Sequence, residues 1–240
     1  MPRPTKHGLR SLLREWWPAL GLSLLTLPFI TRRVGDPDYF WHTLYGSLIV
    51  HHGLVRSDQL TYTVAGAPWT DHEYGSQVLF YVLTRAGGLT AVSLFFALVL
   101  FAGFLLLLVR MRSLMVPPLI AGAALVLGAA AGFLMWGPQP QMFDFLFLTL
   151  ELVLVERFLA GRMGALWWIP PLVVLWANLH AGFVFAFLVL AILLLALAAQ
   201  WLWNRRPPQD RRAMGRVALV LFASVVASVI TPWGPSLFLY

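Results

Sequence analysis

Apolar runs of near-membrane length, separated by short arginine clusters, are what this chain has to fold around. Seven runs stand out, at roughly 14–31, 89–109, 115–136, 143–159, 165–178, 182–203 and 217–231. A helix that crosses a bilayer needs about 20 apolar residues. The first, second, third and sixth runs meet or approach that length, while the fourth, fifth and seventh fall short. The fifth is the shortest and contains Pro170 and Pro171. Short or interrupted helices cross a membrane when they tilt into a bundle or line a polar cavity.

Charge placement tests this count. Only 11% of the residues are charged and 60% are hydrophobic, against about 25% charged in soluble domains. With the N-terminus in the cytoplasm and the runs alternating, the inner segments hold most of the cations. These are Arg3, Lys6, Arg10, Arg14, Arg110, Arg112, Arg157, Arg162, Arg205, Arg206, Arg211, Arg212 and Arg216. The outer segments keep Arg32, Arg33, Arg56 and Arg85. This is the positive-inside pattern. The net charge of +7 is therefore a topology signal and not a stripe for binding nucleic acid. The chain reads as an all-α polytopic membrane protein of about seven transmembrane helices, in one domain spanning 1–240. Small residues of a signal-peptidase site are missing after the first run, which ends Pro28-Phe29-Ile30-Thr31-Arg32-Arg33, so it reads as an uncleaved span. There is no cysteine, which removes disulfides and thiolate chemistry.

The same alternation puts every polar motif on the outer side: GDPDYFWH (35–42), WTDHEYG (69–75), PQPQ (138–141), NLHAG (178–182) and TPWG (231–234). The long first outer loop, 32–88, holds five of the ten acidic residues, namely Asp36, Asp38, Asp58, Asp71 and Glu73. Within it, 39–50 has apolar residues at helical spacing and is expected to lie along the membrane surface. Asp36 is its expected N-cap, Pro37 its first helical position and Gly53 its end. A turn or strand is expected at 62–69, a second interfacial helix at 77–85, and a linker at 204–216.

Asp36 and Asp38 are the candidate catalytic residues. A carboxylate at a helix N-terminus stays ionised, suiting a general base on an acceptor hydroxyl or a ligand for a divalent cation such as Mg or Mn. The same placement suits a plain helix cap. Asp71, His72 and Glu73 form a second constellation, able to position an acceptor or an ion. Their spacing is too tight for all three to point one way, which favours Asp71 or Glu73, and a hydrated loop bracing Trp69 and Tyr74 is the alternative. Asn178 and His180 fall where a short run meets a long one, where freed backbone groups need partners. Asp144 and Glu151 share a helix face inside the fourth run and read as intramembrane carboxylates away from the reacting face.

These motifs carry a resemblance. DPD followed by aromatics and His after the first span, with TYTVAG (61–66) downstream, resembles the first outer loop of GT-C superfamily glycosyltransferases. The order DPDYFWH, WTDHEYG, PQMF (140–143) and NLHAG is similar to bacterial polytopic membrane proteins with DPD-x-x-WH, W-x-DHE, PQ-x-F and NLH-x-G stretches. The resemblance implies transfer of a sugar from a polyprenyl-phosphate carrier to an acceptor at the outer face of the bacterial plasma membrane. Asp36 would be the base or metal ligand, with Asp38 beside it. His42, Asp71, His72, Glu73, Gln141, Asn178 and His180 would line the substrate pocket. That group usually carries an Arg before PQ-x-F, where this chain has Gln139, so the cation for a phosphate is either missing or supplied elsewhere. Members have further helices, and 232–240 reads as the start of another element. A transporter or flippase, or a non-catalytic relative, is the competing expectation.

Overall fold

The computed structural model describes residues 9–204 and 208–239. Arg3, Lys6, Arg205 and Arg206 lie outside the described residues. The described chain is helical, and its one strand-like pairing is an isolated bridge between Ser57 and Pro68. The helices are α1 (Leu9–Leu24), α2 (Leu27–Ile30), α3 (Asp38–His52), α4 (Tyr74–Ser113), α5 (Pro118–Ala131), α6 (Met142–Leu159), α7 (Ile169–Ala177), α8 (Val184–Asn204) and α9 (Pro208–Ser228). Each of the seven apolar runs contains helix. Among the described residues, two stretches are long and apolar enough to cross a membrane: Tyr74–Ser113, with 40 residues, and Ala181–Trp203, with 23, each containing an 18-residue window of mean hydropathy 2.9.

The expected surface helix at 77–85 and the second run are both helical, as the sequence suggests, and they meet inside α4 at a kink where Gly87 and Gly88 leave helical geometry, Gly88 at φ 63° and ψ −158°. Backbone of that kind favours glycine. The structure corrects the expected boundaries in three places, each with a local cause. The third run shrinks to α5, which opens behind Pro117 and stops at Gly132. Pro170 and Pro171 do not interrupt the fifth run. They occupy the first turn of α7, behind a 3₁₀ turn at Ala165–Trp168, where a missing N–H removes no hydrogen bond. The expected linker is helical from Pro208 on, so α9 begins well before the seventh run. Residues 234–239 form a 3₁₀ helix that buries Leu237.

Packing runs α1 on α5, α3 along the first part of α4, α6 between α4 and α7, and α9 across α7 and α8. An aromatic ladder joins three of these layers. Phe80 and Phe96 of α4 lie 5.0 Å apart, Phe96 meets Phe143 of α6 at 5.7 Å, and Phe143 stacks on Phe147 at 5.8 Å. Phe147 then reaches the buried Trp176 of α7 at 5.7 Å. Between apolar helices, such close contact supplies dispersion energy that solvent exclusion does not. Large apolar side chains such as Leu98, Leu127, Leu188, Leu195 and Phe222 face outward, which suits a helix surface against lipid.

The polar motifs meet at one end of this bundle. Asp36 contacts Gln139, Glu73 contacts His180, Tyr74 contacts Asn178, and Trp233 Nε1 donates to the Trp69 carbonyl at 3.2 Å. At the opposite end Arg110 Nε pairs with Glu156 at 2.5 Å, and the Arg112 guanidinium lies 5.8 Å over Trp16. The expected meeting of the polar motifs at one end is therefore present in the fold, with Arg110 and Arg112 at the other.

Closest approach occurs where α3 crosses α4. A Cβ on Gly46 would overlap the Gln77 carbonyl, whereas Gly128 of α5 has open space around it. Gly46→Ala should cost about 1–3 kcal/mol through overpacking and lower the thermal midpoint of the purified protein. Gly128→Ala should leave that midpoint unchanged or raise it.

Candidate functional site

The polar end divides into two neighbouring parts. One is built on the start of α3. The Oδ1 atom of Asp36 accepts the Asp38 N–H at 2.9 Å, and the Asp36 carbonyl accepts the Tyr39 N–H at 3.2 Å. The N-cap of α3 is Pro37 and the helix opens at Asp38, one residue later than expected, so Asp36 stands just before the helix with its side chain on the Asp38 N–H. Its other oxygen accepts from the Gln139 side-chain amide, and Gln141 Nε2 in turn donates to Gln139 Oε1 at 2.7 Å. Asp36 and Gln139 line an open cleft of about 380 Å³, together with Arg32, Arg33 and the 134–138 turn. The Arg32 guanidinium sits 3.9 Å over the Phe133 ring, a contact that orients it. Asp38 is exposed at the edge of this part.

The second part is organised by Glu73, the residue preceding α4. Its Oε1 lies 3.2 Å from His180 Nε2 and 3.5 Å from His72 Nε2, and its Oε2 lies 3.8 Å from His42 Nδ1. His42 is buried and stacks on Phe80 at 5.3 Å, so the aromatic ladder ends beneath the site. His180 Nδ1 in turn lies 2.8 Å from Asp144 Oδ2, and Trp176 Nε1 donates to Asp144 Oδ1 at 2.7 Å. Asp71 faces inward, where its Oδ1 accepts the Glu73 N–H at 3.1 Å and Gln77 Nε2 at 2.9 Å.

Burial and pairing pull these groups apart in acidity. Burial alone would raise Glu73, but hydrogen bonds from His180 and His72 overcome it and hold the carboxyl at about 2. Burial would depress His180, yet its contacts with Asp144 and Glu73 carry it up to about 9. Asp71 lacks a cationic contact of that strength, and burial pushes it to about 6. Burial also lowers His42, opposed by the charges of Glu73, Asp38 and Asp36. The two parts of the site thus feel each other through His42.

Of the sequence candidates, the structure gathers His42, Asp71, His72, Glu73 and His180 into one cluster. Asp36, Asp38 and Gln141 belong to the arginine-lined part. Asn178 departs from the expected substrate role. Its Oδ1 accepts from Tyr74 Oη, its Nδ2 donates to the Val174 and Ile230 carbonyls at 2.6 and 2.9 Å, and its carbonyl accepts the Gly75 N–H at 3.1 Å. Its amide is spent tying α4, α7 and the end of α9 together. Asp144 is a site residue that sequence reasoning set aside. It lies in the first turn of α6, at the polar end and not at depth with Glu151, and an acid in a helix's first turn was the available signal. Glu151 is fully buried, and neither of its oxygens has a hydrogen-bond partner.

Among the described residues, no group of three His, Cys, Asp or Glu side chains is arranged to hold a metal ion. Each Asp36 oxygen accepts one N–H, which leaves a lone pair on each for a further partner. No family model matches the chain, and no curated protein or solved structure matches it either.

Opposed titrations give the fold a pH signature. His180 adds stability in full below its ordinary 6.5 and loses it as pH rises through about 9. Glu73 adds stability above its ordinary 4.5 and loses it as pH falls towards about 2. The thermal midpoint should therefore peak between these ranges and fall on the alkaline side, by the equivalent of about 3 kcal/mol at most. His180→Gln should flatten the alkaline limb, read by thermal unfolding across a pH series.

Proposed function

We propose that this chain is a multi-pass membrane glycosyltransferase that moves a sugar from a polyprenyl-phosphate carrier to an acceptor at the outer face of a bacterial plasma membrane. The observation that carries this reading is the cleft where Asp36 and Gln139 stand with Arg32 and Arg33. It combines a proton acceptor with two cations suited to a phosphate. Those arginines supply the charge that Gln139 does not. Outward apolar side chains and helix in all seven runs support the multi-pass architecture.

In the proposed reaction an acceptor hydroxyl oxygen bonds to the anomeric carbon as the bond from that carbon to the carrier phosphate breaks. Asp36 takes the hydroxyl proton, and the departing polyprenyl phosphate keeps the bonding electron pair against Arg32 and Arg33. No step is assigned to a divalent cation. A transport reading is favoured by one observation only, the unpartnered Glu151 in the bundle interior.

The test is transfer from labelled polyprenyl-phosphate sugars by the purified chain in lipid nanodiscs. Asp36→Asn should lower the rate by about 10²–10⁴-fold without loss of folding, and Arg33→Ala should raise KM for the lipid donor. Full activity in Asp36→Asn would overturn the assignment. Glu151→Gln should leave transfer intact; a variant that abolishes substrate movement across the membrane while no transfer is seen in the wild type would favour transport.

A further inference from the structure

His180 has a carboxylate against each ring nitrogen, Asp144 at 2.8 Å from Nδ1 and Glu73 at 3.2 Å from Nε2. A neutral imidazole has a single N–H and can donate to one of them, whereas an imidazolium donates to both. The row Asp144–His180–Glu73 thus runs from the first turn of α6, across the α7–α8 connection, to the residue before α4. Its far end is immobilised. Trp176 Nε1 holds Asp144 Oδ1 at 2.7 Å, and a Cβ on Gly182 would overlap the same carboxylate, so Asp144 packs flat against backbone.

The near end is different. Glu73 Oε2 faces His42 Nδ1 at 3.8 Å, beyond hydrogen-bonding distance. In the same cluster His42 Nδ1, Asp71 Oδ2 and Gln77 Oε1 are buried without hydrogen-bond partners, on residues at most 5% exposed. Gln77 Nε2 is committed to Asp71, which leaves its oxygen as the free atom. Two of these three atoms accept only, and such buried acceptors call for a donor. The charged and titratable groups facing the row are His72 on Glu73 Oε1, His42 on Oε2 and Asp71 beside the Glu73 backbone, with Asp36 and Asp38 acting on His42 through space.

We propose that Asp144 is a positioning residue: through His180 it fixes the Glu73 carboxylate so that one oxygen is presented to a hydroxyl or ammonium group of the substrate. The proposal rests on the transferase reading for identifying that group as part of the sugar or its acceptor. Glu73 is held at about 2, far too acidic to take a proton at neutral pH, so its role is orientation and Asp36 remains the base. The Arg32–Arg33 cleft and the Glu73 row then sort the substrate by charge, phosphate to one and donors to the other.

The test uses the full chain in nanodiscs with ring-¹⁵N histidine, the His180 signal being assigned with His180→Gln. His180 should be an imidazolium at about pH 8 in the wild type and neutral there in Asp144→Asn. Glucose and ethylammonium serve as hydroxyl and ammonium probes. Either should shift the His42 ring signal, with binding roughly tenfold weaker in Asp144→Asn and lost in Glu73→Gln. A response to glucose alone assigns a hydroxyl, and to ethylammonium alone an amine; both support the proposal. A neutral wild-type His180, a charge that survives Asp144→Asn, or a His42 shift produced by inorganic phosphate but by neither probe overturns it. The wild-type titration requires only that His180→Gln fold, for the assignment. Donor binding that persists in a protein with no transferase activity would remove the transferase reading and leave the positioning role standing.

Discussion

A half-buried histidine between two carboxylates, His180 between Asp144 and Glu73, is the contact on which the polar end of this molecule depends. Glu73 leads into α4, Asp144 opens α6, and His180 sits on the turn between α7 and α8. One ionic row therefore ties together three stretches far apart in sequence. Charges in such a setting are costly to desolvate and are retained when their geometry satisfies both partners. Here both ring nitrogens are engaged and the outer carboxylate has a Trp donor besides. The aromatic ladder below keeps these helices in register, and the row fixes their ends.

Around that row the site is divided by sign. Arg32 and Arg33 stand with Asp36 at one opening, while Glu73, Asp71 and Asp144 dominate the neighbouring cluster. The two parts communicate through His42, whose titration feels Asp36, Asp38 and Glu73 together. Separation of this kind keeps an anionic group and a hydrogen-bond donor apart until a substrate brings both. In the proposed reaction it also explains why the base and the orienting carboxylate are different residues. Glu73 is stabilised too strongly as an anion to accept a proton, and Asp36 has neutral amide donors instead of a cation against its carboxylate.

Much of the architecture was legible in the sequence because apolar periodicity reports directly on helix. The start of α3 beside Asp36 and Pro37, its end at Gly53 and the meeting of five polar motifs at one end followed from local chemistry and from the alternation of arginine clusters. The kink at Gly87 and Gly88 was readable too, as the break between the expected surface helix at 77–85 and the second run, because two adjacent glycines let the backbone leave helical geometry. Pro170 and Pro171 looked like a break because the 3₁₀ turn that delivers them to the start of α7 leaves no mark in hydropathy. In the site, Asp71, His72 and Glu73 were recognisable as a group. Their ordering around Glu73 depends on His42 and His180, which are distant in sequence. Asp144 was misjudged because its seven-residue spacing to Glu151 suggested a shared depth, when the two stand at different levels of one helix. Asn178 shows the converse, a polar residue whose hydrogen bonds are all consumed by backbone and by Tyr74.

The bend in α4 also sets an altitude. From Gly88 to Ser113 the helix rises roughly 39 Å at 1.5 Å per residue, enough to cross a hydrocarbon layer of about 30 Å with some tilt. In a bilayer the bend then falls at the upper edge of the hydrocarbon, and the arm from Tyr74 onward becomes a shelf at headgroup height. Glu73 stands at the end of that shelf, with α3 packed along it. A lipid carrier whose tail remains among the acyl chains would bring its phosphate to the same level without being lifted from the membrane.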